Sequence, residues 1–205
     1  KNIKGKIYDT PKFLPAGDKY MLIEFGNVMN LELNFTAQNL AKAIKDNKVK
    51  GVYETSPCFA SMIVHYEPQD IKFNELKKEL KSLIGSLGPS DEIEINSRIF
   101  SFPTVYLDKW TKECIEDYSD KIAKKKPDPE LITELNNLEN IDQFVRVHSG
   151  TEYWVAAIGF WPGLPFMMAL DPRCKLTVPK YNPPRTWTPK GTVGMGGAST
   201  CIYPD

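Results

Sequence analysis

The sequence holds only two histidines and four cysteines, and it has no C-x-x-C pair. Thiols spaced this widely argue against a zinc ribbon or a dithiol redox motif, so a reduced, cytoplasmic setting is expected. There is no G-x-x-x-x-G-K-[ST] loop, no G-x-S-x-G elbow and no H-E-x-x-H. Their lack argues against a self-contained ATPase and a histidine-rich metalloenzyme, and no metal site is expected. The 26 basic and 26 acidic residues cancel, so no global field draws the chain to nucleic acid or to an anionic membrane. No apolar run approaches the roughly 20 residues that span a bilayer, and Lys1-Asn2-Ile3-Lys4 leads into no apolar h-region. A soluble protein is expected, with neither nucleic acid nor membrane as partner. Because the first residue is Lys, trimming of the N-terminus is expected as well.

What is present suits two modest domains in 205 residues. Tyr20 to Phe25 is a short apolar run that reads as a strand, with Gly26 as its stop. Leu33, Ala37, Leu40, Ala41 and Ile44 recur at helical intervals from Leu31 onward, and Asn30 could cap that helix. Gly51 to Thr55 and Ser61 to Tyr66 read as two antiparallel strands, and Phe73, Leu76, Leu80, Leu83 and Ile84 mark a second amphipathic helix. The order β-α-β-β-α suits a ferredoxin-like α+β domain over residues 1–88. Gly88 to Glu92 reads as a linker. Residues 89–205 then form a second domain, with a strand expected from Arg98 to Tyr106, interrupted by Pro103. Helical stretches are expected over about residues 110–147: from Trp110 to Ile122, from Pro129 to Leu138 and from Ile141 to Val147. From Tyr153 on, short apolar runs alternate with Pro and Gly, as in a small barrel.

The residues able to carry chemistry lie between His148 and Pro204. His65 sits between Val64 and Tyr66 in an expected strand and reads as structural. His148, in a polar cluster with Glu152 and Tyr153, could exchange a proton or donate to a carboxylate; it could equally cap the preceding helix. In Ile158 to Phe166, Gly159, Pro162, Gly163 and Pro165 set a specific backbone path, while Phe160, Trp161 and Phe166 offer flat apolar faces. Such a loop lines a pocket or plugs a barrel end. Arg173, Lys180 and Arg185 are candidate anion-binding cations, and the prolines around Asn182 stiffen the segment that carries two of them. Gly191, Gly194, Gly196 and Gly197 could expose backbone N–H groups as an anion nest, with Thr200 following.

These residues resemble those of a known family. Ile23-Glu24-Phe25-Gly26, Gly51-Val52 and Ser61 to Tyr66 are similar to the opening domain of the allophanate hydrolase subunit 1 family. That family includes KipI-like proteins, the B component of 5-oxoprolinase, and carboxyltransferase subdomains C and D of urea carboxylase. His148-Ser149, Glu152-Tyr153, Gly159-Phe160, Pro162-Gly163, Pro165-Phe166, Asp171-Pro172-Arg173, Val193-Gly194, Gly197, Thr200 and Ile202-Tyr203-Pro204 continue the likeness over essentially the whole chain. Lys180 to Gly191 and the insertion from Trp110 to Leu138 look more like urea carboxylase, whereas the His148 and Gly159 segments look like the free-standing subunits. Ser199 and Cys201 stand where the family usually has Gln and Gly. The family pattern also normally runs on past the position of Asp205, so either the chain is incomplete or its barrel closes differently.

The resemblance implies a cyclophilin-like β-barrel after the first domain. It also implies a non-autonomous subunit of a carboxyltransferase, or of an ATP-dependent 5-oxoprolinase or allophanate hydrolase, acting on small amide, lactam or urea-like compounds. Its partner would be an allophanate hydrolase subunit 2 (KipA-like) protein, together with a biotin carboxylase or the A component of a 5-oxoprolinase. No cofactor is expected on this chain alone, with ATP or carboxybiotin handled in the complex. Catalytic roles fall to His148, Arg173, Lys180 and Arg185. Substrate binding falls to Glu152, Tyr153, Phe160, Pro162, Gly163, Phe166, Asn182, Gly194, Gly197 and Thr200. The alternative is a KipI-like protein that binds and inhibits a sensor histidine kinase.

Overall fold

A computed structural model describes residues 5–88 and 94–204. The chain divides into two compact units, Lys1–Arg98 and Ile99–Asp205, so the division falls later than the expected boundary at residue 88. Most of the expected linker lies outside the described residues. Each unit has one antiparallel four-stranded sheet, and the described residues include five α-helices.

In the first unit the elements are β1 (Ile7–Pro15), β2 (Tyr20–Gly26), α1 (Leu31–Asp46), β3 (Val52–Cys58), β4 (Ser61–Tyr66) and α2 (Phe73–Ser86). The sheet order is β1-β2-β4-β3. Alternation assigns its faces: Met21, Ile23 and Phe25 on β2 and Met62, Val64 and Tyr66 on β4 are buried, in one cluster with Leu33, Ala37, Leu40 and Ile44 of α1 and Leu76 and Leu80 of α2. Asn30 caps α1 by accepting from the Leu33 amide at 3.0 Å. His65 lies on the opposite sheet face, stacked on Tyr20 at 4.7 Å and edge-on to Tyr53 at 5.5 Å.

Strand β1 goes beyond the expected order, which becomes β-β-α-β-β-α. Its sequence, with Pro11, Pro15 and the charged Asp9 and Lys12, hides the strand pattern. Those residues are tolerable because β1 is an edge strand whose register against β2 shifts between Ile7 and Lys12.

The second unit contains α3 (Lys109–Lys121), α4 (Asp128–Leu135), α5 (Ile141–Ser149), β5 (Tyr153–Ile158), β6 (Pro165–Ala169), a 3-10 turn (Pro172–Cys174), β7 (Val193–Gly196) and β8 (Ser199–Ile202). The strand expected from Arg98 to Tyr106 is not formed. Pro103 removes a ladder donor at its centre, and Tyr106 is held by its side chain instead, at 2.6 Å from His148 Nδ1. The second sheet runs β5-β6-β8-β7, with an isolated bridge between Val178 and Gly197. Among the described residues it keeps two edges, β5 and β7, so the expected barrel does not close within them. No helix among the described residues is long and apolar enough to cross a membrane.

Because Leu40 is fully buried between α1 and the sheet, Leu40→Ala is expected to cost about 2–5 kcal/mol. Urea denaturation, compared with an exposed control such as Lys45→Ala, measures it.

Candidate functional site

Lys180 to Trp187 forms neither helix nor strand, so its polar groups need partners from elsewhere. They come from α3 and from the first residue of α4. Tyr118 donates its hydroxyl to the Pro183 carbonyl at 2.6 Å, and the Cys114 thiol donates to the Trp187 carbonyl at 3.3 Å. The Trp187 indole N–H donates to Asp117 at 3.1 Å. Asp128 accepts from two side chains at once: the Tyr181 hydroxyl on Oδ1 and the Arg185 guanidinium on Oδ2. That guanidinium also lies over the Tyr181 ring, 4.6 Å from its centroid. Burial alone would lower the Arg185 pKa, but the hydrogen bond and charge of Asp128 raise it, so the group stays charged. Burial and then Asp128 push the Tyr181 phenol up. The Asn182–Pro183 peptide is cis, and the Asn182 side chain is exposed.

Lys180 has a different surrounding. A methyl group built on Gly196 would lie 3.2 Å from Lys180 Cγ, so the lysine stem rests on bare backbone. One built on Gly194 would lie 2.8 Å from the Tyr203 ring and 3.3 Å from Cys201 Sγ. Register pairs Phe166 with Cys201, Cys201 with Gly194, and Ser199 with Gly196. Paired residues share a sheet face, as do residues two apart, so Phe166, Cys201, Gly194 and Gly196 lie on one face. Thr200 is on the other, buried, with its hydroxyl donating to the Gly194 carbonyl at 3.0 Å. Burial raises the Cys201 thiol pKa, against smaller opposing contributions from the Gly194 amide, Tyr203 and the Lys180 charge. Cys201 is therefore a protonated thiol at neutral pH and not a thiolate nucleophile.

Two glycine amides expected in an anion nest are already bonded within the sheet region. Gly197 donates to Val178 at 2.7 Å and Gly191 donates to Tyr203 at 3.0 Å. In the loop between β5 and β6, Phe160 and Gly163 have positive φ, and Gly159 donates to Leu164 at 3.2 Å. Leu164 is buried under the loop, while Phe160 is 85% exposed, and Pro162 and Gly163 are also exposed. Phe160, Trp161, Leu164, Tyr203 and Pro204 line a cleft of about 140 Å³. A larger, open cleft of about 540 Å³ lies between α4 and α5, lined in part by Lys126, Glu130, Glu134 and Asp142; none of the expected site residues borders it.

His148 belongs to another cluster, at the end of α5. It is 8% exposed, with Tyr106, Phe144 and Tyr153 rings around it. Its backbone carbonyl accepts from the Tyr153 hydroxyl at 2.9 Å, and Nε2 is buried with no partner among the described residues. Burial lowers its pKa from 6.5, so the ring is neutral at neutral pH.

Residues 11–205 match the family described as carboxyltransferase domain, subdomain C and D. The chain belongs to that family. It is 30% identical over 194 residues to urea amidolyase of Saccharomyces cerevisiae, covering 92% of this chain and 10% of that protein. It is 28% identical over 198 residues to the B component of 5-oxoprolinase from Bacillus subtilis, covering 92% of this chain and 74% of that protein. The crystal structure of urea amidolyase from Kluyveromyces lactis superposes with a TM-score of 0.77 at 26% identity, over 94% of this chain and 12% of that one. The chain thus spans about a tenth of the urea amidolyases that it matches.

In this carboxyltransferase subdomain C and D chain, the expected site residues do not converge as one group. Lys180, Phe166 and Gly194 come together beside Cys201, whose thiol is hydrogen-bonded to Tyr203 of the aromatic cleft. Arg185 is engaged by Asp128, and Arg173 is engaged by Asp171 through Nε at 3.0 Å and Nη2 at 2.6 Å, its side chain 88% exposed. Glu152 is exposed, and its carbonyl accepts from Leu170 at 2.9 Å. Tyr153 is turned to the His148 carbonyl, its phenol pushed up by burial. Sequence reasoning missed Asp128, Tyr118, Asp117 and Tyr106, because no local pattern marks a residue whose partner is 57 positions away, as Arg185 is from Asp128.

The buried, neutral His148 predicts a pH dependence. The unfolded chain binds the proton at the ordinary value near 6.5, the native ring only below it. The stability contribution is therefore full above about pH 6.5, falls as pH drops below it, and levels off below the depressed native pKa, at about 1.4 kcal/mol per unit of depression. Denaturant midpoints across that range are expected to fall for the wild type and to flatten for His148→Gln.

Proposed function

We propose that this chain supplies a carboxyltransferase-type site within a larger enzyme assembly acting on small amide, lactam or urea-like compounds. The observation that carries this reading is Lys180. Of the three expected cations it alone has no ion pair among the described residues. It lies across Gly196, on a glycine-bared sheet face that continues to Cys201 and the aromatic cleft. The lysine stem lies on bare backbone and the residue is exposed; an ammonium carried there suits a carboxylate, or a carboxylated or phosphorylated lactam, whose charge grows during transfer. Phe160, Trp161 and Tyr203 offer flat walls on which a planar ureido or lactam ring can lie. Relatives named for urea and for 5-oxoproline support the substrate class.

The carboxyl donor fits the same residues: the cleft is apolar and aromatic, and the cation stands on the adjoining face. Carboxybiotin, when bound, supplies the carboxylate that is transferred. Lys180 would hold that charge, while Gly194 and Gly196 allow close approach and Phe166 covers the sheet face. Arg185 acts through the fold, not on substrate. Among the described residues, His148 has one side-chain partner for a proton, Tyr106, to which Nδ1 is bonded. In a lactam-cleaving assembly ATP is assigned to a partner chain. The partners would be a subunit 2 (KipA-like) protein with a biotin carboxylase or the A component of a 5-oxoprolinase, in the cytoplasm. The architecture follows: the first unit as a ferredoxin-like domain with an added edge strand, the second sheet as part of a cyclophilin-like barrel.

A KipI-like binding role is the second reading, favoured by the outward exposure of Phe160 and Trp161. Reconstitution separates the two. With subunit 2 partners present, turnover of urea-like or lactam substrates is expected to fall about 100-fold in Lys180→Met, the order seen when one charge-stabilising donor is lost. Gly196→Ala, whose methyl would press on the lysine stem, should lose less, and Arg173→Ala should stay within about twofold. Undiminished turnover in Lys180→Met removes the lysine from the mechanism; inhibition of a histidine kinase by this chain alone selects the binder.

A further inference from the structure

Among the described residues, the hydrogen bonds that hold the segment from Tyr181 to Trp187 come from the helical stretch that precedes it by some 60 residues in sequence. Among these holds, Asp128 is distinctive. Its two carboxylate oxygens are divided between Tyr181 and Arg185, so one residue grips the segment at two points. The guanidinium stacked on the Tyr181 ring closes the group into a triangle. Tyr118 adds to it from α3, its ring 4.9 Å from that of Tyr181. Tyr181 directly follows Lys180, so fixing the phenol sets the point from which the lysine side chain departs. That side chain runs across Gly196, where any Cβ would meet it at 3.2 Å.

We propose that Asp128 is a positioning residue: by holding Tyr181 and Arg185 together it keeps Lys180 laid across Gly196, on the sheet face shared with Gly194 and Cys201. The proposal rests on the reading of Lys180 as the anion-binding cation, but the hold on the lysine can be measured without it. A neutral amide in place of Asp128 keeps one acceptor oxygen, and its NH₂ can meet the Tyr181 hydroxyl, which accepts as well as donates, but not the donor-only guanidinium. Asp128→Asn therefore removes the charge that grips Arg185 and weakens the hold without emptying space. Tyr181→Phe removes the Tyr181–Asp128 hydrogen bond and leaves the Arg185–Asp128 pair in place.

The experiment uses the full-length protein in its assembly, with both variants and Lys180→Met. Reductive methylation with ¹³C-formaldehyde gives Lys180 a dimethylamino signal, assigned by its loss in Lys180→Met. Asp128→Asn and Tyr181→Phe are expected to move that signal toward the position of a freely solvated lysine; an unmoved signal in both overturns the proposal. Turnover adds a test that a merely structural role fails. Asp128→Asn is expected to lower kcat/KM for the carboxyl acceptor about tenfold, and the double variant with Lys180→Met is expected to match Lys180→Met alone, because both changes remove one contribution. A further tenfold loss in the double variant overturns the positioning role. Should Asp128→Asn fail to fold, Tyr181→Phe carries both measurements. If the wild-type assembly turns over none of the substrate classes, the proposed function fails, and the Lys180 signal alone decides whether Asp128 positions the lysine.

Discussion

The second unit depends on one carboxylate. Asp128 takes the hydroxyl of Tyr181 and the guanidinium of Arg185, and so fastens an irregular segment that has no ladder or helix to satisfy it. A chain stretch without secondary structure stays ordered only if other groups receive its donors and acceptors. Here Tyr118, Cys114 and Asp117 do so along one side of α3. Residues 114, 117 and 118 fall at helical spacing of three and four, which brings them onto a common face. The helix thus offers a row of polar contacts to a strap that could not order itself.

This arrangement changes the meaning of the cations. A guanidinium is always charged and binds in a fork, which makes it a good substrate clamp and an equally good structural rivet. Sequence cannot separate the two uses, because both need the same residue beside the same stiff prolines. What separates them is whether a carboxylate already fills the fork. Asp128 takes one arm of the Arg185 fork and Cys114 Sγ the other at 3.5 Å, while Asp171 fills the fork of Arg173. Lys180 is left with a hydrocarbon stem against glycine and a charge that no carboxylate among the described residues neutralises.

Periodicity made most of the fold legible. Leu33, Ala37, Leu40 and Ile44 announced α1, and Ser61 to Tyr66 appears as a strand at the expected bounds, because one face of each is in the core. One proline-containing stretch was passed over and another misread. Ile7 to Pro15 pairs at a sheet edge, where missing donors and a register shift are harmless, while Arg98 to Tyr106 has strand formers but finds no ladder among the described residues. The glycines at 194 and 196 were visible as a special feature; their reason was not. They make room for Tyr203, Cys201 and Lys180. His148 was legible as unusual but not as buried: Phe144 stands one turn before it on α5, but Tyr106 comes from 42 positions away.

The helical stretch and the Lys180 segment are physically one feature. Without α3 and the start of α4, the Pro183 and Trp187 carbonyls, the Tyr181 hydroxyl and the Arg185 charge would each need a new partner or exposure to water. Without the segment, α3 would present the buried Cys114 and Tyr118 with nothing over them. Each half creates a cost that the other removes. A resemblance in the strap therefore carries information about the helices as well, and both bear on where a single lysine is placed.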